Sequence, residues 1–426
     1  MARRTAGRAQ ILSHCGPELT KPDCDEEHDK CHRSSPHAAM PTAQSTSHSK
    51  NVLSCLITTA LLVTSCEVAA SQLPAASSSS SESCRVAAEG PSLTPIQFRA
   101  LRRRAGEGEG EMDGIVHRTV AVNGINMHVA EKGEGPAVFF LHGFPELWYS
   151  WRHQILGLAA RGYRAIAPDL RGYGDTDVPE STAAYSIFHI VGDLVALLDA
   201  LGLDKVFVVG HDWGAMVAWY LCLFRPDRVK ALVNMSVAYS PWKATVKPLD
   251  YFRSLYGDDY YIMRFQEPGD AEKVFEHFGT EFVMKKFLSY RTPGPLFLSK
   301  EFGGSPDDEI ALPSWLTEED INYFVSKFKK SGFTGGLNYY RNLNTNWERT
   351  APWTGAPITV PTKFIVGDLD LTYHYPGIQD YIHKGGFKKD APFLQDVVVM
   401  EGVGHFIIQE KASEITDHIF DFIQKF

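Results

Sequence analysis

The segment GHDWGA, Gly210 to Ala215, follows the apolar run VFVV and opens the helix-like stretch MVAWYLCLF. A side chain displayed on a tight strand-to-helix turn needs small flanking residues, because a strained backbone leaves no room for a Cβ branch, and Gly210 and Gly214 supply them. The displayed residue is Asp212, so the chemistry is that of a carboxylate: it attacks an sp³ carbon and leaves an ester, whereas a serine would acylate itself on a carbonyl. No G-x-S-x-G occurs in the chain, which disfavours a serine esterase or lipase. Asp is also a favoured helix cap, so Asp212 alone supports both readings. Its partners tip the balance. Asp370, in GDLDLTYH, can orient a base, and His405, in EGVGHF, can be that base, in the order nucleophile, acid, histidine. Asp368 competes with Asp370 on spacing alone. His142-Gly143-Phe144-Pro145 follows AVFFL, where a loop either makes a simple turn or aims backbone N–H groups at a developing oxyanion. The N–H groups of Phe144 and of Trp213, the residue after the nucleophile, are the expected donors.

These residues need a scaffold that brings distant strand ends together. Ala137 to Leu141, Tyr163 to Ala167, Val206 to Val209, Ala231 to Met235, Lys363 to Val366 and Val397 to Met400 are short continuous apolar runs of the kind buried in a parallel sheet. Ile187, Val191, Leu194, Leu198 and Leu201 recur at helical spacing and stop at Gly202. Upstream, Asn123-Gly124 sits between alternating segments and signals a hairpin. Strand, helix, strand in repeated order implies a doubly wound sheet. From about Pro241 to Asn346 the rhythm breaks into a helix-like stretch rich in Tyr, Phe and Lys. An insertion there, leaving from a carboxyl end of the sheet, would cover the site as a lid.

With HGFP, PDLRGYGDTD, GHDWGA, GDLDLTYH and EGVGHF, and the insertion segments DYYIMRF and LNYYRNLNTNWE, the chain from Met112 to Phe426 resembles the plant soluble epoxide hydrolases. The resemblance implies an α/β-hydrolase fold: a doubly wound, mostly parallel sheet, with core residues 112–240 and 347–426 and a helical cap at 241–346. It implies Asp370 as the acid. It also implies two cap tyrosines whose hydroxyls bind the epoxide oxygen, at Tyr261 and Tyr340, although Tyr260 and Tyr339 are adjacent candidates. A phenol of pKa near 10 suits that task, since it can protonate an alkoxide at neutral pH. The implied reaction converts apolar epoxides of fatty acids or aryl alkenes to vicinal diols with water, without cofactor or metal. The rivals are a haloalkane dehalogenase using the same Asp nucleophile, and a non-catalytic ligand-binding protein on the same fold.

The rest of the sequence bounds the reading. Of 426 residues, 44% are hydrophobic and 22% charged, and Lys plus Arg number 42 against 51 Asp plus Glu. That is globular composition without a basic field for nucleic acid. No apolar run reaches the roughly 18 to 20 residues of a membrane-spanning helix, so stable membrane insertion is not expected. Residues 1–111 read as a disordered extension or targeting segment, with acidic DCDEEHDK, a serine run and RRRAGEGEGE. Val52 to Val63 resembles the core of a signal sequence, which would function only with a start at Met40. Cys24, His28, Cys31 and His32 lack zinc-finger spacing. Beyond Cys84 only Cys222 occurs, which fits a reducing compartment; the cytosol is expected, with organellar or secretory targeting as the alternative. The expected assembly is a monomer or homodimer.

Overall fold

In the computed structural model, Asn123 and Gly124 both adopt positive φ, 45° and 80°. This is the backbone a two-residue type I′ loop requires, and it joins β1 (Val116–Val122) to β2 (Ile125–Lys132) as an antiparallel pair. The structure describes residues 114–298 and 304–426. The extension, the signal-like run, the Cys24 to His32 group and the Met112 boundary lie outside the described residues.

The six apolar runs are all strands, with ends shifted by at most a few residues: β3 (Ala137–Leu141), β4 (Arg164–Pro168), β5 (Val206–His211), β6 (Val229–Met235), β7 (Thr362–Gly367) and β8 (Leu394–Met400). These pair in parallel, β2 pairs antiparallel with β4, and the sheet order is β1-β2-β4-β3-β5-β6-β7-β8. Every residue of β3 and β5 is buried, so both faces of the sheet are covered. Helices α1 (Arg152–Ala159), α2 (Ile187–Ala200) and α3 (Trp213–Phe224) connect the strands in the expected alternation. Gly202, at φ 66°, stops the α2 segment as a left-handed glycine beyond its end.

From β3 the chain moves to β4 on one side and then crosses back to β5 on the other. The crevice at the carboxyl ends of β3 and β5 is therefore a topological switch point, the preferred ligand position of such sheets. Between β6 and β7 come α4 (Pro248–Tyr256), α5 (Tyr261–Arg264), α6 (Asp270–Phe278), α7 (Thr280–Leu288), α8 (Glu318–Ser331), α9 (Thr334–Arg341) and α10 (Leu343–Arg349). Among the described residues this insertion contributes no strand to the sheet, only an isolated bridge between Tyr260 and Phe297.

Polar anchors hold the insertion to the segments after β3 and β4. Thr317 and Asp320 form a capping box at the start of α8. Asp320 also accepts from the Tyr149 hydroxyl at 2.8 Å and pairs with the buried Arg152 guanidinium at 2.9 Å. Asp175 pairs with Lys327 at 2.8 Å and Lys330 at 2.7 Å, and the Tyr339 hydroxyl donates to the Arg171 carbonyl at 3.0 Å. Gly335 and Gly172 meet backbone to backbone: a Cβ on Gly335 would lie 2.2 Å from the Gly172 oxygen.

Removing one partner of a buried ion pair leaves an uncompensated charge, which costs about 3 to 5 kcal/mol. Exposed pairs contribute roughly 1 kcal/mol or less. Asp320→Ala is therefore expected to lower stability by about 3 kcal/mol or more in urea unfolding, and Lys330→Ala to change it little; equal effects would show that the Arg152 pair does not anchor the insertion.

Candidate active site

Asp212 sits immediately after β5 with φ 51° and ψ −119°, a backbone that turns its side chain away from the helix it precedes. Its carboxylate makes no capping hydrogen bond. Instead the Phe144 N–H donates to Asp212 Oδ1 at 2.8 Å. The flanking glycines are required by close approach: a Cβ on Gly214 would lie 2.0 Å from the Leu141 oxygen, and one on Gly210 would lie 2.5 Å from Asn234 Oδ1. Gly143 faces Asp212 itself, since a Cβ there would lie 2.4 Å from Asp212 Cβ.

The HGFP loop is built by its own polar groups. The Leu170 N–H donates to His142 Nε2 at 2.9 Å, the Gly143 N–H donates to Glu146 Oε2 at 3.1 Å, and the Phe144–Pro145 peptide is cis. Glu146 also lies 2.7 Å from His211 Nδ1, and His211 Nε2 lies 2.8 Å from the His405 carbonyl oxygen. Burial raises the Glu146 carboxyl, but His211 outweighs it and holds the group below its ordinary value. Trp213 opens α3, where the first N–H groups lack intrahelical acceptors. Its N–H is thus a first-turn donor without an intrahelical acceptor, on the residue after Asp212.

His405 Nδ1 lies 2.9 Å from Asp370 Oδ1, and His405 Nε2 lies 3.6 Å from Asp212 Oδ2. The Ser236 hydroxyl donates to Asp370 Oδ2 at 2.5 Å and the Thr372 N–H to Oδ1 at 2.9 Å. Burial pushes the Asp370 carboxyl up, yet His405, Ser236 and Thr372 together hold it well below the ordinary carboxylate range. Burial likewise opposes protonation of His405, and the two carboxylates overcome it, so the imidazole keeps its proton well above its ordinary value. Asp368 takes no part: its carboxylate accepts from the Val403 N–H at 3.2 Å.

Asp212 and His405 face one cavity. Asp212, His405, Tyr261, Tyr340, Tyr290 and Thr372 bring polar groups to its wall, and Phe144, Phe287, Leu296, Leu371 and Phe406 supply apolar surface. Tyr260 and Tyr339 do not line it; both are fully buried, with Tyr260 donating to the Tyr375 hydroxyl at 3.2 Å and Tyr339 donating to the Arg171 carbonyl. Burial first, then neighbouring phenols and the Asp212 charge, raises Tyr261 and Tyr340 well above the ordinary phenol value of 10. Both therefore carry a proton at neutral pH.

Sequence reasoning missed Glu146, His211, Ser236 and Tyr375. Glu146 follows HGFP directly and His211 lies inside the elbow, so proximity to motifs was the available signal; Ser236 and Tyr375 carried none. Among the described residues, His128, Asp169 and Asp175 could converge on a metal. Asp169 is taken by His128 at 2.8 Å and the Trp148 N–H at 3.0 Å, and the Lys327 and Lys330 ammonium groups at Asp175 oppose a cation.

The family model for the alpha/beta hydrolase fold matches residues 136–412. Epoxide hydrolase 1 of Siraitia grosvenorii is 64% identical over 315 residues, covering 74% of this chain and all of that one. Epoxide hydrolase A of Mycobacterium tuberculosis is 38% identical, covering 73% of this chain and 98% of that one. The crystal structure of an epoxide hydrolase from Vigna radiata superposes with a TM-score of 0.71 at 62% identity, covering 74% of this chain and all of the other. The chain therefore belongs to the α/β-hydrolase fold family and, within it, to the epoxide hydrolases.

Proposed function

We propose that the protein hydrolyses apolar epoxides to vicinal diols through an alkyl ester on Asp212, with Tyr261 and Tyr340 holding the epoxide oxygen and His405, oriented by Asp370, activating water. The observation that carries this reading is a single cavity lined by the Asp212 carboxylate, the His405 imidazole and both phenols, with the rest of its wall largely apolar. The helices between β6 and β7 act as a cap that supplies the phenols. Fatty-acid and aryl epoxides are the substrate classes an apolar wall suits. We assign the reaction to the cytosol, because Cys222 is the one cysteine after residue 84 and it is free and buried.

The contacts of Asp212 divide its oxygens. Oδ1 is held by the Phe144 N–H, which leaves Oδ2, on the His405 side, to attack the oxirane carbon. The carbon–oxygen bond breaks, its electron pair goes to the epoxide oxygen, and a phenol proton stabilises the alkoxide. Oδ1 then becomes the ester carbonyl oxygen, already seated against the N–H that will stabilise its oxyanion when water adds. Esterification also removes the Asp212 charge, one of the two that raise His405. The imidazole loses its proton more readily in the intermediate than in the free enzyme, and it becomes a base at the stage where one is needed. Collapse of the tetrahedral species returns Asp212 and releases the diol.

Asp212→Asn and the Tyr261→Phe/Tyr340→Phe double variant are each expected to abolish diol formation from a fatty-acid epoxide and from trans-stilbene oxide. Chloride release from a chloroalkane that persists in the double variant would make the protein a dehalogenase instead.

His405 must be neutral to act as base, so a raised pKa means that activity is gained as pH rises through it and lost below it. In single-turnover experiments the ester-hydrolysis rate should fall on the acid side. Its midpoint should lie lower than the His405 titration of the free enzyme followed by NMR. Asp370→Asn should slow this step by about a hundredfold or more and let the ester accumulate for detection by mass spectrometry; an unchanged hydrolysis rate would remove Asp370 from the mechanism.

A further inference from the structure

Tyr375 enters the site from the core, on the turn that begins with Asp370, whereas Tyr260 and Tyr261 come from the insertion. The three hydroxyls are contiguous: Tyr260 donates to Tyr375 at 3.2 Å, and Tyr375 lies 3.3 Å from Tyr261. A phenol has one proton to donate and can also accept. Tyr260 spends its proton on Tyr375, so the Tyr375 oxygen is occupied as an acceptor and its proton is free to turn to Tyr261. We propose that this chain runs in one direction, Tyr260 to Tyr375 to Tyr261, so that Tyr375 donates to Tyr261 and leaves the Tyr261 proton for the epoxide oxygen. The inference rests on the reading of Tyr261 as an epoxide-binding phenol.

The opposite polarity would direct the Tyr261 proton to Tyr375 and leave only lone pairs facing the ligand, which cannot stabilise an alkoxide. The heavy-atom geometry, with Tyr260 as donor to Tyr375, favours the useful direction. As the oxirane opens and the Tyr261 proton moves toward the alkoxide, negative charge grows on the Tyr261 oxygen; the Tyr375 O–H points at it, and the Tyr260 O–H in turn supports Tyr375. Hydrogen bonds linked this way polarise one another. Contacts of 3.2 and 3.3 Å are long for O–H···O bonds, whose usual distance is about 2.7 to 2.8 Å. Such bonds tighten when charge develops on the acceptor. Burial pushes the Tyr261 phenol well up, and the Tyr375 hydrogen bond pulls it back, in the direction an acid needs. Tyr375 touches no reacting atom in this scheme and is a positioning residue; Tyr260 orders it from behind.

The test is the single-turnover rate of ester formation by the full chain with two epoxides: 1,2-epoxyhexane, and 3,3,3-trifluoro-1,2-epoxypropane, whose alkoxide is the weaker base. Tyr375→Phe is expected to slow alkylation by epoxyhexane on the order of ten- to a hundredfold, the range for a hydrogen bond to a developing charge. The fluorinated epoxide should be affected much less, and KM little for either. Tyr260→Phe, which keeps the Tyr375 side chain, should give a smaller loss with the same dependence on alkoxide basicity. Adding Tyr375→Phe to Tyr261→Phe should cost nothing further. A Tyr375→Phe enzyme that alkylates at the original rate, or that slows equally with both epoxides, overturns the directed chain. If Tyr261→Phe is itself without effect, the epoxide-binding reading fails; if Tyr261 is needed and Tyr375 is not, only the chain fails.

Discussion

A nucleophile held on a left-handed backbone is the constraint from which most of this site follows. Asp212 adopts φ 51°, a conformation that costs a non-glycine residue roughly 1 to 3 kcal/mol and persists only where the surroundings over-determine it. Here they do so by contact. Gly214 packs against the carbonyls of Leu141 and His142 at the end of β3, Gly210 against Asn234 on β6, and Gly143 against the Asp212 side chain. Three neighbouring strand ends thus converge on one residue. The outcome is a carboxylate that faces the Phe144 N–H across the switch point rather than capping α3.

Charge balance is the second constraint, since burial works against every ionised group in the cavity wall. Asp370 is fully buried, and it stays a carboxylate through three donors drawn from the loop after β8, the residue after β6 and its own turn: His405, Ser236 and Thr372. His405 carries the opposite problem and is held protonated by the carboxylates on its two sides. Its backbone is pinned as well, because its carbonyl oxygen meets His211, which is fixed by Glu146 of the HGFP loop. The HGFP loop, the elbow and His405 are therefore one connected polar structure. In the proposed reaction, a negative charge leaving Asp212 would develop beside groups whose partners are already in position, which is the condition for electrostatic stabilisation without reorganisation.

What the sequence made legible were the features encoded locally. The elbow, the HGFP turn, the Asn123-Gly124 hairpin and the apolar strands each depend on residues a few positions apart, and each forms where the pattern predicts. Asp370 and Asp368 are two residues apart in one loop, and only the fold separates them, one turned to His405 and the other to Val403. Tyr260 and Tyr261 differ by one position at the start of a short helix, so the face each presents depends on packing between insertion and core. The partners of Asp370 and Tyr261 were invisible for the same reason: Ser236 lies 134 residues from Asp370, and Tyr375 lies 114 from Tyr261. A serine after a strand and a tyrosine after a turn carry no pattern of their own.

The turn from Asp370 to Tyr375 joins the two halves of the reaction. In the proposed mechanism, Asp370 at its start orients the base that hydrolyses the ester, and Tyr375 at its end supports the phenol that helps to form it. Between them Thr372 donates its N–H to Asp370 and its hydroxyl to the Ser236 carbonyl, which locks the turn to the end of β6. Ser236 itself has φ 68°, a second strained residue at a strand end, and its hydroxyl completes the Asp370 shell. A displacement of this short segment would misalign His405 and loosen Tyr261 together. In that mechanism alkylation and hydrolysis, chemically separate steps on opposite sides of one covalent intermediate, share a single rigid support, and that support is fastened to β6, the strand next to the one that carries Asp212.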